Sequence, residues 1–232
     1  MRAQLVKLGN LALDFLLPQN CLGCGMEGAV LCNRCLARLP RISPPFCQRC
    51  GLPLDTIACP DCQRQAPVFD GLRAPFKFER LIRESIHLLK YQNLRSLARP
   101  LAGQLAAYLG NNSIPVDLIV PVPLHRNKLR ERGYNQSELV ALELGRMLGL
   151  SVDRACLIRT LDTKPQVRME KAVQRRKNVD GAFRCQGSQL TGRRVLVVDD
   201  VATSGATINS CAVSLKQAGA DSVWGLAIAR EA

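Results

Sequence analysis

Val195-Leu196-Val197-Val198-Asp199-Asp200-Val201-Ala202-Thr203-Ser204-Gly205-Ala206-Thr207 is the stretch that decides the fold. Its first four apolar residues read as a parallel strand buried on both faces, and the chain is expected to turn just after them. Asp199 and Asp200 then stand at the carboxyl end of a strand, where open α/β sheets bind their ligands. Thr203 to Thr207 come immediately before a helical pattern. Gly205 and Ala206 let backbone amides approach a ligand, Thr203, Ser204 and Thr207 supply hydroxyls, and a helix N-terminus favours negative charge. Together they read as a phosphate cradle. No Lys lies inside the loop, which excludes a Walker P-loop. Two carboxylates beside a monophosphate cradle suit a sugar phosphate, because carboxylates accept from a vicinal diol while the loop holds the 5′-phosphate. The competing reading is an acidic pair capping a turn before an ordinary helix.

Strand and helix patterns alternate on either side. Leu72, Ala74, Phe76 and Phe78 alternate as in a strand. Residues 79–91 carry Leu81, Ile82, Ser85, Ile86 and Leu89 on one helical stripe, and residues 94–109 carry Leu94, Leu97, Ala98, Leu101 and Leu105 on another. A strand is expected from Leu118 to Val120 and a helix from Glu138 to Leu148, with Asn135 and Glu138 spaced as a capping box. A helix from Ile208 to Ala218 stops at Gly219, and Val223 to Ala229 forms the last strand. Such alternation predicts an α/β fold with a mostly parallel sheet flanked by helices.

Upstream the composition changes. Eight of the 11 cysteines fall between residues 21 and 62, as Cys21/Cys24, Cys32/Cys35, Cys47/Cys50 and Cys59/Cys62; Cys156, Cys185 and Cys211 are scattered downstream. Cys-x-x-Cys-Gly followed by a second Cys-x-x-Cys occurs twice, an internal duplication of one small unit. Two thiolates three positions apart in a tight turn both reach one tetrahedral ion, and Gly25 and Gly51 give each first turn its backbone freedom. So short a segment buries little core, so metal must supply its folding energy. Disulfides would need an oxidising compartment, and a thioredoxin-like site would need one pair near a βαβ pattern rather than four in a row. Iron in a rubredoxin-like knuckle satisfies the same sulfur geometry. Two structural zinc ions are the favoured reading, each within one duplicated unit, with crossed pairing as the alternative. A closed four-thiolate site leaves no position for catalysis. Pro67 and Asp70-Gly71 mark the link onward, giving an N-terminal helix and double ribbon over 1–66 and a second domain over 67–232.

Apolar residues make up 47% and charged residues 22%, which excludes wholesale disorder, while aromatics at 4% leave the core to Leu, Val, Ile and Ala. No apolar run is long enough for a membrane span. Leu5, Leu8, Ala12, Phe15 and Leu16 alternate with Lys7, Asn10 and Asp14 as an amphipathic helix rather than a signal peptide, and the protein is read as cytoplasmic. The formal charge is +13, and eight thiolates with two zinc dications lower it to +9. A basic chain favours an anionic partner, although charge runs are commonly solvated faces. Lys164, Arg168, Lys171, Arg175, Arg176 and Lys177 form one basic cluster, and Arg126, Lys128, Arg130 and Arg132 form another. Arg34, Arg38, Arg41, Arg49 and Arg64 surround the cysteine turns and suit nucleic acid or a protein partner. His125, beside a proline-rich loop, is either an acid–base group or structural.

The stretch 195–207 resembles the phosphoribosyl pyrophosphate signature of type I phosphoribosyltransferases. With the cysteine units added, the chain resembles the competence protein F family over nearly its full length. The pieces that carry this are His87-Leu88-Leu89-Lys90-Tyr91, Val120-Pro121-Val122-Pro123-Leu124-His125-Arg126, Arg132-Gly133-Tyr134-Asn135-Gln136-Ser137, and Arg175-Arg176-Lys177-Asn178 ahead of Gly181-Ala182-Phe183. Ala202 departs from the signature, which more often has a bulkier aliphatic residue there. The resemblance implies that Asp199 and Asp200 contact the ribose hydroxyls and that Thr203, Ser204, Gly205, Ala206 and Thr207 bind the 5′-phosphate. It implies that the loop with Leu124, His125 and Arg126 holds the pyrophosphate, and that residues 161–178 close over the reaction. Displacing pyrophosphate from an anomeric carbon builds charge of both signs. Mg²⁺ and basic side chains stabilise it, with Arg175 and Arg126 as the candidate leaving-group contacts.

Three functions fit. One is a phosphoribosyltransferase using phosphoribosyl pyrophosphate, Mg²⁺ and an unidentified acceptor. The second is a single-stranded DNA-binding module whose nucleotide site is regulatory, and the third an adaptor whose ribbons dock a helicase-like partner. The family's link to DNA uptake and utilisation joins the first two, whereas few aromatics argue against extensive base stacking.

Overall fold

The structure is a computed structural model that describes residues 20–55, 58–161, 181–186 and 190–231. It divides into two compact units, residues 1–39 and 40–232. The sequence division at 66/67 groups the two cysteine units by their chemistry, whereas the units divide between them. The N-terminal helix expected before residue 20 and the basic segment 162–178 lie outside the described residues.

The smaller unit is built on two cysteine turns and a short helix, α1 (Asn33–Ala37), with Cys21, Leu31, Leu36 and Leu39 buried. The larger unit begins with the second pair of turns and its own short helix, α2 (Pro60–Arg64). Its centre is a parallel sheet of β1 (Gly71–Arg73), β2 (Phe76–Lys77), β3 (Leu118–Pro121), β4 (Ser151–Val152), β7 (Arg194–Ala202) and β8 (Ser222–Arg230). The order is β1-β8-β7-β3-β4, with β2 continuing along β8 beyond β1. Outside it, β5 (Leu157–Arg159) and β6 (Phe183–Cys185) form an antiparallel pair.

β7 is the middle of the sheet. Val195, Leu196, Val197 and Val198 are fully enclosed, each facing a residue of β3 on one side and of β8 on the other. That is why this strand reads as an unbroken apolar run. The expected turn after Val198 comes four residues later, because Asp199, Val201 and Ala202 keep pairing with Ala227, Ala229 and Arg230. The strand expected over Leu72–Phe78 is broken at Pro75, which has no N–H to donate.

Helices α3 (Arg80–Tyr91), α4 (Ala98–Asn111), α5 (Arg126–Arg132), α6 (Gln136–Leu148) and α7 (Ala206–Gln217) complete the unit. α3 buries Ile82, Ser85, Ile86 and Leu89 of the stripe read from the sequence, while Leu81 is half-buried. α4 starts after a 3₁₀ turn at Arg95–Leu97 and packs against α6. Asn135 caps α6 by accepting from Ser137 N at 3.0 Å, while Glu138 pairs with Arg154 at 3.1 Å. α7 packs on β7, β8 and the β5–β6 pair, where Ser214 Oγ donates to Phe183 O at 2.9 Å. The mostly parallel α/β architecture expected from the alternation is what the chain forms. Among the described residues no helix is long and apolar enough to cross a membrane.

Candidate metal centres and phosphate-loop site

The duplication seen in the cysteines extends to the backbone. Cys21 N donates to Met26 O and Gly25 N to Cys21 O; in the second unit Cys47 N donates to Leu52 O and Gly51 N to Cys47 O, at 2.7–2.8 Å. Bridges Asn20–Glu27 and Phe46–Pro53 close the two turns at equivalent positions. In each unit the second cysteine pair opens a helix, with Cys32 preceding α1 and Cys59 preceding α2. Gly25 and Gly51 take left-handed φ of 72° and 69°, and a Cβ on Gly51 would stand 2.5 Å from Leu72 O. Glycine is therefore required at 51 twice over, for the turn and for the approach of β1.

The sulfurs gather as Cys21/Cys24/Cys32/Cys35 and Cys47/Cys50/Cys59/Cys62, all within 4.8 Å of one another in each group. Each duplicated unit thus forms its own site, and the crossed pairing is not what the chain adopts. Cys24–Cys32, Cys47–Cys62 and Cys50–Cys59 Sγ separations are 3.7, 3.8 and 3.7 Å. A tetrahedron with metal–sulfur bonds of about 2.3 Å has edges of about 3.8 Å, so both groups fit zinc. Burial opposes charge on Cys21, but N–H groups of Cys32, Gly23 and Cys24 overcome it and bring the thiol down to about 6. At Cys47 the N–H groups of Cys50 and Arg49 likewise outweigh burial and lower it to about 7. Burial pushes the thiols of Cys35, Cys50 and Cys62 up instead, so the first sulfur of each unit is the one that its turn favours as thiolate. The second site is also part of the larger unit's core: Cys47, Cys50 and Cys59 cluster with Phe69, Leu72 and Ala202, and Leu72 N donates to Arg49 O at 2.8 Å.

At the carboxyl end of β7 the two acidic residues are buried and heavily partnered. Asp199 Oδ1 accepts from Ser137 Oγ at 3.0 Å and from Asp200 N at 2.9 Å. Asp200 faces Lys90 Nζ at 2.7 Å through Oδ1 and accepts from Gln136 Nε2 at 2.5 Å through Oδ2. Burial, then the Asp200 charge, pushes the Asp199 carboxyl up to about 7. Burial opposes charge on Lys90, yet Asp200 and Asp199 prevail and raise its pKa. Gln136 is oriented by Arg132, which donates to its Oε1. Tyr134 donates to Leu89 O, tying the start of α6 to α3. Lys90, Gln136 and Ser137 were not singled out as site residues from sequence. Their signal was present, since they belong to the two short motifs around His87–Tyr91 and Arg132–Ser137.

Thr203 to Thr207 form the turn from β7 into α7, which starts at Ala206 with Gly205 as its cap at φ 76°. Ser204 Oγ accepts from Ala206 N at 3.4 Å. A Cβ on Gly205 would lie 3.3 Å from Leu72 Cδ2, so the loop is pressed onto β1. The loop after β3 runs alongside, because Pro121 and Val198 are register partners and Val122 N donates to Val198 O at 2.9 Å. In that loop Leu124 is half-buried, Arg126 is exposed, and His125 caps α5 by accepting from Asn127 N through Nδ1 at 3.4 Å. Adjacency of β3 and β7 thus brings the acidic pair, the small-residue loop and the 121–126 loop to one edge. Arg175 lies outside the described residues. Of the remaining cysteines, Cys211 is fully buried on α7.

A double zinc ribbon domain family matches residues 12–64. The chain is 37% identical over 115 residues to competence protein F of Haemophilus influenzae, covering 48% of this chain and 50% of that protein. It is 33% identical over 144 residues to DNA utilization protein YhgH of Escherichia coli O157:H7, covering 60% and 62%. To the protein of that name from Salmonella typhi it is 30% identical over 166 residues, covering 66% and 72%. The chain therefore spans half to about three-fifths of the length of the first two relatives. Among solved structures, the glutamine phosphoribosylpyrophosphate amidotransferase of B. subtilis aligns with a TM-score of 0.41 at 16% identity, over 62% of this chain and 30% of that one. A purine phosphoribosyltransferase from Pyrococcus horikoshii aligns at 0.35 and 17%, over 56% and 80%.

Proposed function

Because the chain belongs to the family of competence protein F and DNA utilization protein YhgH, we propose that it is a phosphoribosyltransferase-type protein that binds phosphoribosyl pyrophosphate and acts in DNA uptake or utilisation. The observation that carries the reading is the edge formed at the ends of β7 and β3. Two buried carboxylates, a loop of small and hydroxyl residues opening α7, and the 121–126 loop stand side by side there. Asp199 and Asp200 accept from the ribose 2′- and 3′-hydroxyls. The amides and hydroxyls of Thr203 to Thr207 hold the 5′-phosphate, and Leu124, His125 and Arg126 lie along the pyrophosphate. Mg²⁺ bound with the ligand supplies charge neutralisation to the leaving pyrophosphate. Arg175 is the second candidate contact for that pyrophosphate.

Lys90 and Gln136 hold Asp200 in place. Both Asp200 oxygens are occupied, so a diol binds by replacing or sharing these contacts. Their removal from water is thereby offset before the ligand arrives. The zinc sites are structural and take no part in transfer. Pyrophosphate release from phosphoribosyl pyrophosphate, screened over bases, amines and oligonucleotides, tests turnover and names the acceptor. Release with no member of the panel, in protein shown to bind phosphoribosyl pyrophosphate, favours the regulatory alternative. In that reading the basic charge of the chain and exposed Arg126 and Arg130 hold single-stranded DNA, and the sugar-phosphate site controls it.

A further inference from the structure

The two metal sites differ in how their charge is housed. The second buries Cys47, Cys50 and Cys59, whereas the first buries only Cys21 and Cys35 and leaves Cys24 exposed. A zinc ion with four thiolates keeps a net double negative charge, which calls for a counter-charge in the interior. Arg230, the last residue of β8, is 3% exposed. Its Nε and Nη1 are enclosed and have no hydrogen-bond partner among the described residues, and such groups need an explanation. Cys50, Cys62 and Arg230 border one recess together with Asp61 and residues 204–206 of the phosphate loop. Asp61 pairs with Arg64 at 3.7 Å. Burial lowers the Arg230 pKa, and Cys50, Cys59, Cys47 and Cys62 draw it back up. The sulfurs of the second site are therefore the charge that this guanidinium meets.

Arg230 also stands where the phosphate loop begins. It is the register partner of Ala202, the last residue of β7, and Glu231 N donates to Ala202 O at 2.9 Å. A second path runs through β1. Leu72 N donates to Arg49 O in the metal turn at 2.8 Å, and a Cβ on Gly205 would lie 3.3 Å from Leu72 Cδ2. We propose that Arg230 is the interior counter-cation of the Cys47/Cys50/Cys59/Cys62 site and couples metal binding there to the phosphate loop. Metal holds these sulfurs as thiolates, so its loss takes the counter-charge from a buried cation at the point where β7 gives way to the loop. A ligand that orders the loop fixes Ala202 and Arg230 and so favours the metal-bound form. By linkage the metal favours that ligand by the same factor. The coupling rests on the sugar-phosphate reading of the loop, whereas the counter-cation role does not.

Chelator competition for zinc on the full chain tests both parts, in a C21S/C24S background that leaves the second site as the four-thiolate centre. R230M removes the charge and keeps an unbranched chain, and R230K restores the charge. Zinc affinity should fall about tenfold or more in R230M, as for other groups that support metal ligands, and should recover in R230K. Saturating ribose 5-phosphate should raise zinc affinity about fivefold or more with Arg230 in place, and by clearly less in R230M. Unchanged zinc affinity in R230M, or equal losses in R230M and R230K, overturns the counter-cation role. No effect of ribose 5-phosphate, or the same gain in R230M, overturns the coupling. If R230M does not fold, exchange of zinc for cadmium in the parent decides. The ¹⁵N signal of Arg230 Nε should then move, because longer cadmium–sulfur bonds shift the sulfurs it faces, and a fixed signal overturns the role. Failure of ribose 5-phosphate to bind the zinc-loaded chain in calorimetry counts against the sugar-phosphate reading instead, and the zinc affinities still judge Arg230.

Discussion

At Asp199, burial and the neighbouring Asp200 charge lift the carboxyl from 3.8 to about 7, against the pull of Lys90. The folded chain then holds a proton that the unfolded chain releases. This group's contribution to stability should fall as pH rises from about 4 to about 7 and level off above. Urea unfolding at pH 5 and pH 7.5 measures this. D199N should gain stability relative to the parent at the higher pH, and an unchanged difference between the two would show that the carboxyl is not perturbed. Ligand binding should run the other way, since only ionised Asp199 is a pure acceptor. Affinity for Mg²⁺-phosphoribosyl pyrophosphate should rise from pH 6 to pH 8 by more in the parent than in D199N. Lys90 answers a different question. Its ammonium is 2.7 Å from Asp200, with 22% of the side chain exposed. K90M should cost about 3 kcal/mol in chemical denaturation, because it strands a buried carboxylate. A loss near zero would mean that Gln136 alone suffices.

The ribbons and the β7–α7 turn were legible as elements for unlike reasons. Cys-x-x-Cys-Gly repeats because a metal turn tolerates few alternatives, so spacing alone gives ligand sets and a glycine at positive φ. Val195–Val198 is apolar on both faces because the strand is central. Its true end at Ala202 was hidden, since pairing with β8 depends on partners far along the chain. Short elements such as β4, β5, β6 and α5 carry too few residues for a period to show. Nor does spacing reveal that the second ribbon shares the larger unit's core. Elemental analysis should give two zinc ions per chain, and one or none would contradict the paired sites. Cys→Ser at 47, 50 or 59 should lower the melting temperature of the larger unit markedly, because these sulfurs lie in its core cluster. The same change at Cys21 or Cys24 should leave that transition nearly in place. Equal effects on it from both sites would contradict this asymmetry.

For the molecule as a whole, a charge of +13 makes an anionic partner the physical expectation. Binding of single-stranded DNA should weaken steeply with salt. Alanine at Arg175, Arg176 and Lys177 should reduce the logarithmic salt slope by up to about two, at roughly 0.7 for each single-strand phosphate that is no longer neutralised. No binding at low salt would remove the nucleic-acid role. The acidic pair and its loop were legible because a functional edge concentrates unusual residues in one run of sequence. Lys90, Gln136 and Ser137 were not placed there, since only the folded sheet brings positions 90 and 136–137 to that edge. The central claim is that this edge binds phosphoribosyl pyrophosphate, and calorimetry with Mg²⁺ on the parent and the D199N/D200N variant tests it most directly. Hydrogen bonds to charged acceptors contribute about 1.5–3 kcal/mol each, so the variant should bind one to several orders of magnitude more weakly while staying folded. Equal affinity in a folded double variant would contradict the claim.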